Sequence, residues 1–126
     1  MQLSTILAAD LKAEHALKGV GEKEKAQKDD EAATLLESSV IPATDAAISL
    51  ARGADLGTDW GRARREEMLS VMNDRRAELP RYVTALRAHD MEAQLASVQK
   101  QIDIERRAMV AAAAIQIGPS GTEPAR

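Results

Sequence analysis

The chain of 126 residues has no cysteine and no phenylalanine, and it has one tryptophan and one tyrosine. Without cysteine it can form neither a disulfide nor a thiolate metal site, and it has no cysteine nucleophile. Aromatic side chains bury the most apolar surface in a core, so their scarcity predicts a thin core. The lack of cysteine suits a reducing compartment, and we expect the chain to be cytoplasmic on synthesis.

The sequence also lacks a long apolar run. Its longest, residues 108–115, has eight residues, whereas a membrane-spanning helix needs about 20. The first ten residues carry no basic leader, and Asp10 interrupts their apolar stretch, which predicts that no export signal is present. We therefore expect neither a signal peptide nor a transmembrane segment.

Alanine is abundant, with 24 residues, and leucine, isoleucine and valine together number 25. Alanine has the highest helix propensity but adds little buried surface. The large aliphatic residues make up about a fifth of the chain, the level at which a solitary core becomes thin. This composition predicts an all-α protein whose helices complete their burial against other chains.

Glycine, proline and the spacing of apolar residues divide the chain. We expect a single helical domain or extended helical array over 1–117, followed by a tail with Pro and Gly over 118–126. The longest helix is predicted over about 81–117, where no Gly or Pro occurs. His89 and Asp90 can mark a break, so one long helix and two shorter helices both remain open. The heptad spacing fails at Glu105, which favours an extended or irregular bundle completed by other subunits.

Shorter helices are predicted before this long one. The first spans 4–18 and ends at two glycines, and another spans 60–78 with Thr58 or Asp59 as its cap. Pro42 is expected to break the chain before a short helix that ends at Arg52. Pro80 either ends one helix or starts the next.

No motif indicates a catalytic or ligand-binding centre. Neither His15 nor His89 belongs to a frame that places two metal ligands on one helical face. The sequence contains no phosphate-binding loop, dinucleotide fingerprint or nucleophile elbow. We therefore predict no catalytic residue, no metal site and no cofactor, and hence a protein that is not an enzyme.

The last predicted helix is the candidate contact with neighbouring subunits. Its apolar residues recur mostly three and four positions apart, and residues 108–117 are apolar around most of the helix. The predicted interface residues are Trp60, Leu86, Met91, Leu95, Val98, Ile102, Met109, Val110, Ile115 and Ile117. Contact of residues 108–117 with a membrane is the less favoured alternative.

Charge is unevenly distributed about the net value of −3. Residues 1–50 carry five basic and nine acidic residues, a net charge of −4, whereas residues 51–126 carry twelve and eleven, a net charge of +1. An Arg-rich face within 62–87, with Arg62, Arg65 and Arg76, suits a polyanion or an acidic partner. The acidic residues between these arginines favour local ion pairs over a nucleic-acid site.

These features predict a non-enzymatic structural protein, a helical subunit of a larger complex. Its expected partners are further copies of itself, other subunits, or both. A bacteriophage virion component, such as an internal, connector or ejection protein, is the setting we expect. The alternative is a small helical nucleic-acid-binding regulator or adaptor that uses the Arg-rich face of 62–87.

Overall fold

The computed structural model describes the backbone of residues 2–25 and 28–119, which includes five α-helices. A π-helical turn at Leu36–Val40 joins the second helix to the third, so 29–53 is one continuous helical segment. Within the described ranges there is no strand, and the predicted all-α class is confirmed. The helices are α1 (Gln2–Lys25), α2 (Asp29–Leu35), α3 (Ile41–Gly53), α4 (Asp59–Arg87) and α5 (Met91–Ile117). Residues 120–126, most of the predicted tail, lie outside the described residues.

The helical segments pack as an up-and-down bundle. α1 packs against both α2 and α3, and α4 runs back along α3 and then α2. α5 returns along α4, which is its main packing partner. The connector 54–58 is held by the N-terminal end of α4, where the Thr58 hydroxyl accepts a hydrogen bond from the Gly61 N–H at 3.0 Å. Thr58 is therefore the cap of α4, as one of the two predicted alternatives stated.

Neither internal proline ends a helix, and the boundaries predicted at these residues are wrong. Pro42 lies in the first turn of α3, directly after the π-helical turn, so the residue without an N–H stands where the regular α-helical ladder is already interrupted. The turn before it is wound wider, because the Ile41 N–H donates to the carbonyl of Leu36, five residues back. Pro80 lies inside α4 on its exposed side, while the neighbouring Leu79 is buried, so tertiary packing keeps the helix continuous.

The helix predicted over 81–117 is interrupted at residues 88–90. His89 has a φ of 51°, the left-handed conformation that stops a right-handed helix. Asp90 then caps α5, since its Oδ1 accepts a hydrogen bond from the Ala93 N–H at 3.1 Å. The structure therefore contains two helices that meet near His89, which was one of the two predicted alternatives.

Two larger apolar clusters form the core of the described residues, and a small third one joins Val71 of α4 to Ile104 and Ala108 of α5. The first joins the N-terminal parts of α1 and α4 with α3, and the second joins α2 with the C-terminal parts of α1 and α4. Alanine contributes to the buried set at Ala13, Ala32, Ala33, Ala47, Ala51, Ala54, Ala85, Ala108 and Ala111. These small side chains let the helix backbones approach closely, so the single chain closes more of its core than the count of large aliphatic residues predicts.

Candidate functional site

The outward face of α5 carries large apolar side chains. The exposed fractions are 64% for Met91, 59% for Leu95, 41% for Ile102 and 69% for Met109. Together with the half-buried Val98, these four side chains lie within about 60° of one another around the helix axis, because an α-helix has 3.6 residues per turn. We call these five residues the outer stripe. Val110 and Ile117, also exposed, flank it on one side.

Apart from Ile104, the inward face of α5 is made of small or polar residues. Its buried residues are Gln94, Ser97, Ile104, Ala108 and Ala111. An amphipathic helix in a bundle normally turns its large apolar side chains to the core and its polar residues to water. α5 does the reverse over much of its length: Val98 packs against the second apolar cluster, but the other four side chains of the outer stripe are exposed in the described chain.

A polar layer separates the two apolar clusters beneath α5. Arg75 of α4 is 1% exposed and lies between the buried residues Met72 and Leu79. Its Nη1 donates to Oδ1 of Asp10 in α1, and its Nη2 donates to Oε1 of Glu105 in α5 at 2.7 Å. One guanidinium therefore joins three helices.

Glu14 adds a third carboxyl to this layer, beside those of Asp10 and Glu105. Its side-chain hydrogen bond with Glu105, and next its burial, raise the pKa of Glu14 from 4.5 to about 7. Burial opposes the ionisation of Glu105, but the hydrogen bond with Glu14 and the charge of Arg75 outweigh it and lower the pKa of Glu105. The two carboxyls can therefore share one proton up to near-neutral pH.

An open groove of about 450 Å³ runs between α1 and α5 beside the outer stripe. Glu14 and Glu105 lie in it together with apolar side chains of both helices, among them Leu17 and Ile102. The carboxyl pair is thus at the edge of the same surface as the stripe, and anything that covers the stripe also changes the surroundings of these two carboxyls.

The structure places the predicted interface residues in different environments. Leu86 is fully buried in the second apolar cluster, so it is a core residue of the single chain and is not accessible to a neighbour. Trp60 and Ile115 are partly buried against the first cluster, and the guanidinium of Arg64 lies 5.6 Å from the Trp60 ring centre. The accessible members of the predicted set are therefore those of the outer stripe with Val110 and Ile117.

The three predicted contact arginines all have partners within the chain. Arg62 pairs with Asp59 and donates to the Leu56 carbonyl at 2.9 Å. Arg65 Nη1 donates to the Ala54 carbonyl at 2.8 Å, which fixes the connector before α4. Arg76 pairs with Asp45 of α3 at 2.7 Å. These contacts give each arginine a structural role and do not form an open basic surface.

Sequence reasoning missed the polar layer as a unit, although two of its members were visible as irregularities. Asp10 interrupts the apolar start of the chain, and Glu105 occupies a position where the heptad spacing requires an apolar residue. An acidic residue at an apolar position of a helix indicates a buried partner, since an unpaired buried carboxylate is costly. Arg75, within a run of arginines, carries no comparable signal.

The described part of the chain contains neither a metal-binding cluster nor a membrane-spanning helix. No group of three or more His, Asp or Glu side chains there is placed to hold a metal ion. Among the described helices, none combines the length and the apolar character needed to cross a bilayer. Comparison with protein-family models, with curated proteins and with solved structures finds no match to this chain.

Proposed function

We propose that the protein is a non-enzymatic helical subunit of a multi-chain assembly and that the outer stripe of α5 is its contact surface. The observation that carries this proposal is the orientation of α5, most of whose large apolar residues are exposed on the side away from the bundle. An apolar row on one face of a helix is the usual anchor for a second helix, with contacts repeated every three or four residues. A bacteriophage virion is the setting that the sequence suggested, and it stays a prediction.

The outer stripe is a long exposed apolar surface. α5 is about 40 Å long, at 1.5 Å per residue, and the outer stripe extends over most of that length. Exposed apolar residues scattered singly are normal in a monomer, whereas a contiguous row marks a binding surface. Leu11 and Leu50 are the large hydrophobics exposed elsewhere among the described side chains, and they lie on different helices.

Sedimentation velocity over a range of concentrations tests the proposal. We expect the wild-type chain to associate reversibly, and we expect Leu95→Ser or Met109→Ser to weaken this association at least about tenfold, because burying one such side chain is worth about 1.5–3 kcal/mol. Neither variant should reduce the helical circular dichroism signal, since both side chains are exposed in the single chain.

Leu50→Ser is the matched control, because Leu50 is an exposed leucine on α3. It should leave association unchanged. A wild-type chain that stays monomeric at on the order of 100 µM, a concentration that detects even weak dimers, would contradict the proposal. So would an association that all three serine variants leave intact.

A further inference from the structure

We propose that the partner on the outer stripe is a second copy of this chain, with the two α5 helices antiparallel about a two-fold axis near residue 100. This inference rests on the proposed function and names its partner. It follows from two independent patterns on α5, one of apolar residues and one of charges.

The apolar pattern is nearly the same in both directions along the helix. Met91 and Met109 lie nine residues on either side of residue 100, and Val98 and Ile102 lie two residues on either side. A two-fold axis at this point places Met91 of one copy against Met109 of the other and Val98 against Ile102. Each of these contacts occurs twice, so the outer stripe is complementary to itself.

Glu105 favours antiparallel over parallel pairing. In a parallel pair in register, Glu105 would face Glu105 of the second copy, and like charges facing each other are unfavourable. In the antiparallel pair Glu105 lies opposite Leu95 instead. Leu95 carries no charge, so this contact brings no like-charge repulsion, and Glu105 keeps its ion pair with Arg75.

The charge pattern selects the same axis. Glu92 and Arg106 are both exposed and lie 14 residues apart, almost four helical turns, on one flank of the outer stripe. The midpoint between them is residue 99, within one residue of the apolar axis. Antiparallel pairing therefore sets Glu92 of each copy beside Arg106 of the other. Arg106 has only a weak local partner to give up, Asp103 at 3.6 Å with both side chains exposed.

Disulfide crosslinking tests this arrangement directly, because the chain has no cysteine of its own. We expect a mixture of Glu92→Cys and Arg106→Cys chains to form a crosslinked dimer on mild oxidation at least about tenfold faster than either variant alone. Within one chain the two positions are about 21 Å apart along the helix, whereas a disulfide joins Cα atoms less than about 7 Å apart. A crosslink between them must therefore be intermolecular.

Charge exchange provides a second measurement. Glu92→Arg or Arg106→Glu should each weaken dimerisation about tenfold, since each replaces two attractive exposed contacts by two repulsive ones. The double variant E92R/R106E should restore dimerisation to within about threefold of the wild type. Glu37→Arg, which disturbs an exposed ion pair with Arg87 between the π-helical turn and α4, is the control and should not weaken it.

The two proposals fail in different ways. If either cysteine variant alone crosslinks as readily as the mixture, or if the double charge variant is no better than the single ones, the antiparallel arrangement is overturned. The assembly role still stands in that case if serine at Leu95 weakens association. If the wild-type chain does not associate at all, both proposals are overturned.

Discussion

Arg75 is the largest fully buried side chain among the described residues, and it is charged. A buried guanidinium is costly unless acidic groups surround it, and here Asp10 and Glu105 bind its two terminal nitrogens. Asp10 is itself buried, so the pair shields two charges from water at once. Removing one member of such a pair leaves the other buried and uncompensated.

Substitution of Arg75 should therefore be far more damaging than substitution of its neighbour. We expect Arg75→Met to lower the free energy of unfolding by about 3–5 kcal/mol, the usual cost of breaking a buried ion pair. Arg76→Met removes an ion pair whose partners, Arg76 and Asp45, are more than a third exposed, and should cost about 0–1 kcal/mol. Urea unfolding followed by circular dichroism measures both, and equal losses would show that the polar layer adds nothing special.

Glu14 should make stability depend on pH. Its carboxyl has a pKa of about 7 in the folded chain against 4.5 ordinarily, so between these values the folded state holds a proton that the unfolded state has lost. The free energy of unfolding should therefore fall as pH rises from about 4.5 to about 7 and then level off. The lowered pKa of Glu105 acts in the opposite direction, and its contribution is lost as pH falls below about 4.5.

Glu14→Gln isolates this effect from all other titrating groups. The amide introduced by this substitution can still donate a hydrogen bond to Glu105, but it cannot ionise. Urea midpoints measured between pH 5 and pH 8 should decline for the wild type and decline less for E14Q. Parallel curves for the two chains would show that Glu14 and Glu105 do not share a proton.

At the level of the helices, some local signals were predictable and distant ones were not, and the predicted end of the first helix at two glycines is wrong because α1 continues to Lys25. The cap at Thr58 and the break near His89 depend on residues within one turn, and the sequence contains that information. The continuity of the helices through Pro42 and Pro80 depends on a widened turn and on packing against other helices, which local patterns do not report. The all-α class follows from composition, whereas these boundaries do not.

The orientation of α5 was the hardest feature to predict. The spacing of Met91, Leu95, Ile102 and Met109 shows that they share a face, but spacing alone does not say whether that face meets the chain's own core or a neighbour. The helix turns its small residues inward because they permit close packing on α4 and let Glu105 reach Arg75. Asp10 and Glu105 are far apart along the sequence, so no local pattern shows that these two acidic residues bind the same guanidinium.

The cap of α4 gives a prediction at this scale. We expect Thr58→Ala to lower the free energy of unfolding by about 1 kcal/mol, because it leaves the Gly61 N–H without its acceptor at the start of the helix. Thr84→Ala is the matched control, since that exposed hydroxyl only donates to the Pro80 carbonyl within the helix. Its effect should stay within about 0.5 kcal/mol. Thermal or urea unfolding distinguishes the two, and similar losses would contradict the assigned role of Thr58.

For the molecule as a whole, folding and the proposed association use different parts of α5. The inward residues Ala108 and Ala111 and the ion pair of Glu105 attach the helix to the bundle, while the outer stripe is available for contact. A chain built in this way can change its partner-facing side chains with little effect on its own core. The groove beside the outer stripe couples folding to the proposed association. A partner that covers the groove would withdraw Glu14 from water and favour its protonated form.

The polar layer also bears on the order of events during synthesis. Asp10 precedes Arg75 by 65 residues, and Glu105 follows Arg75 by 30. At ordinary translation speeds Glu105 leaves the ribosome on the order of 5–20 s after Asp10. During this interval Asp10 does not yet have its full buried environment. Arg75 can bind Asp10 at most, because Glu105 has not yet emerged. The polar layer can therefore be completed only after α5 has emerged, because α5 carries Glu105.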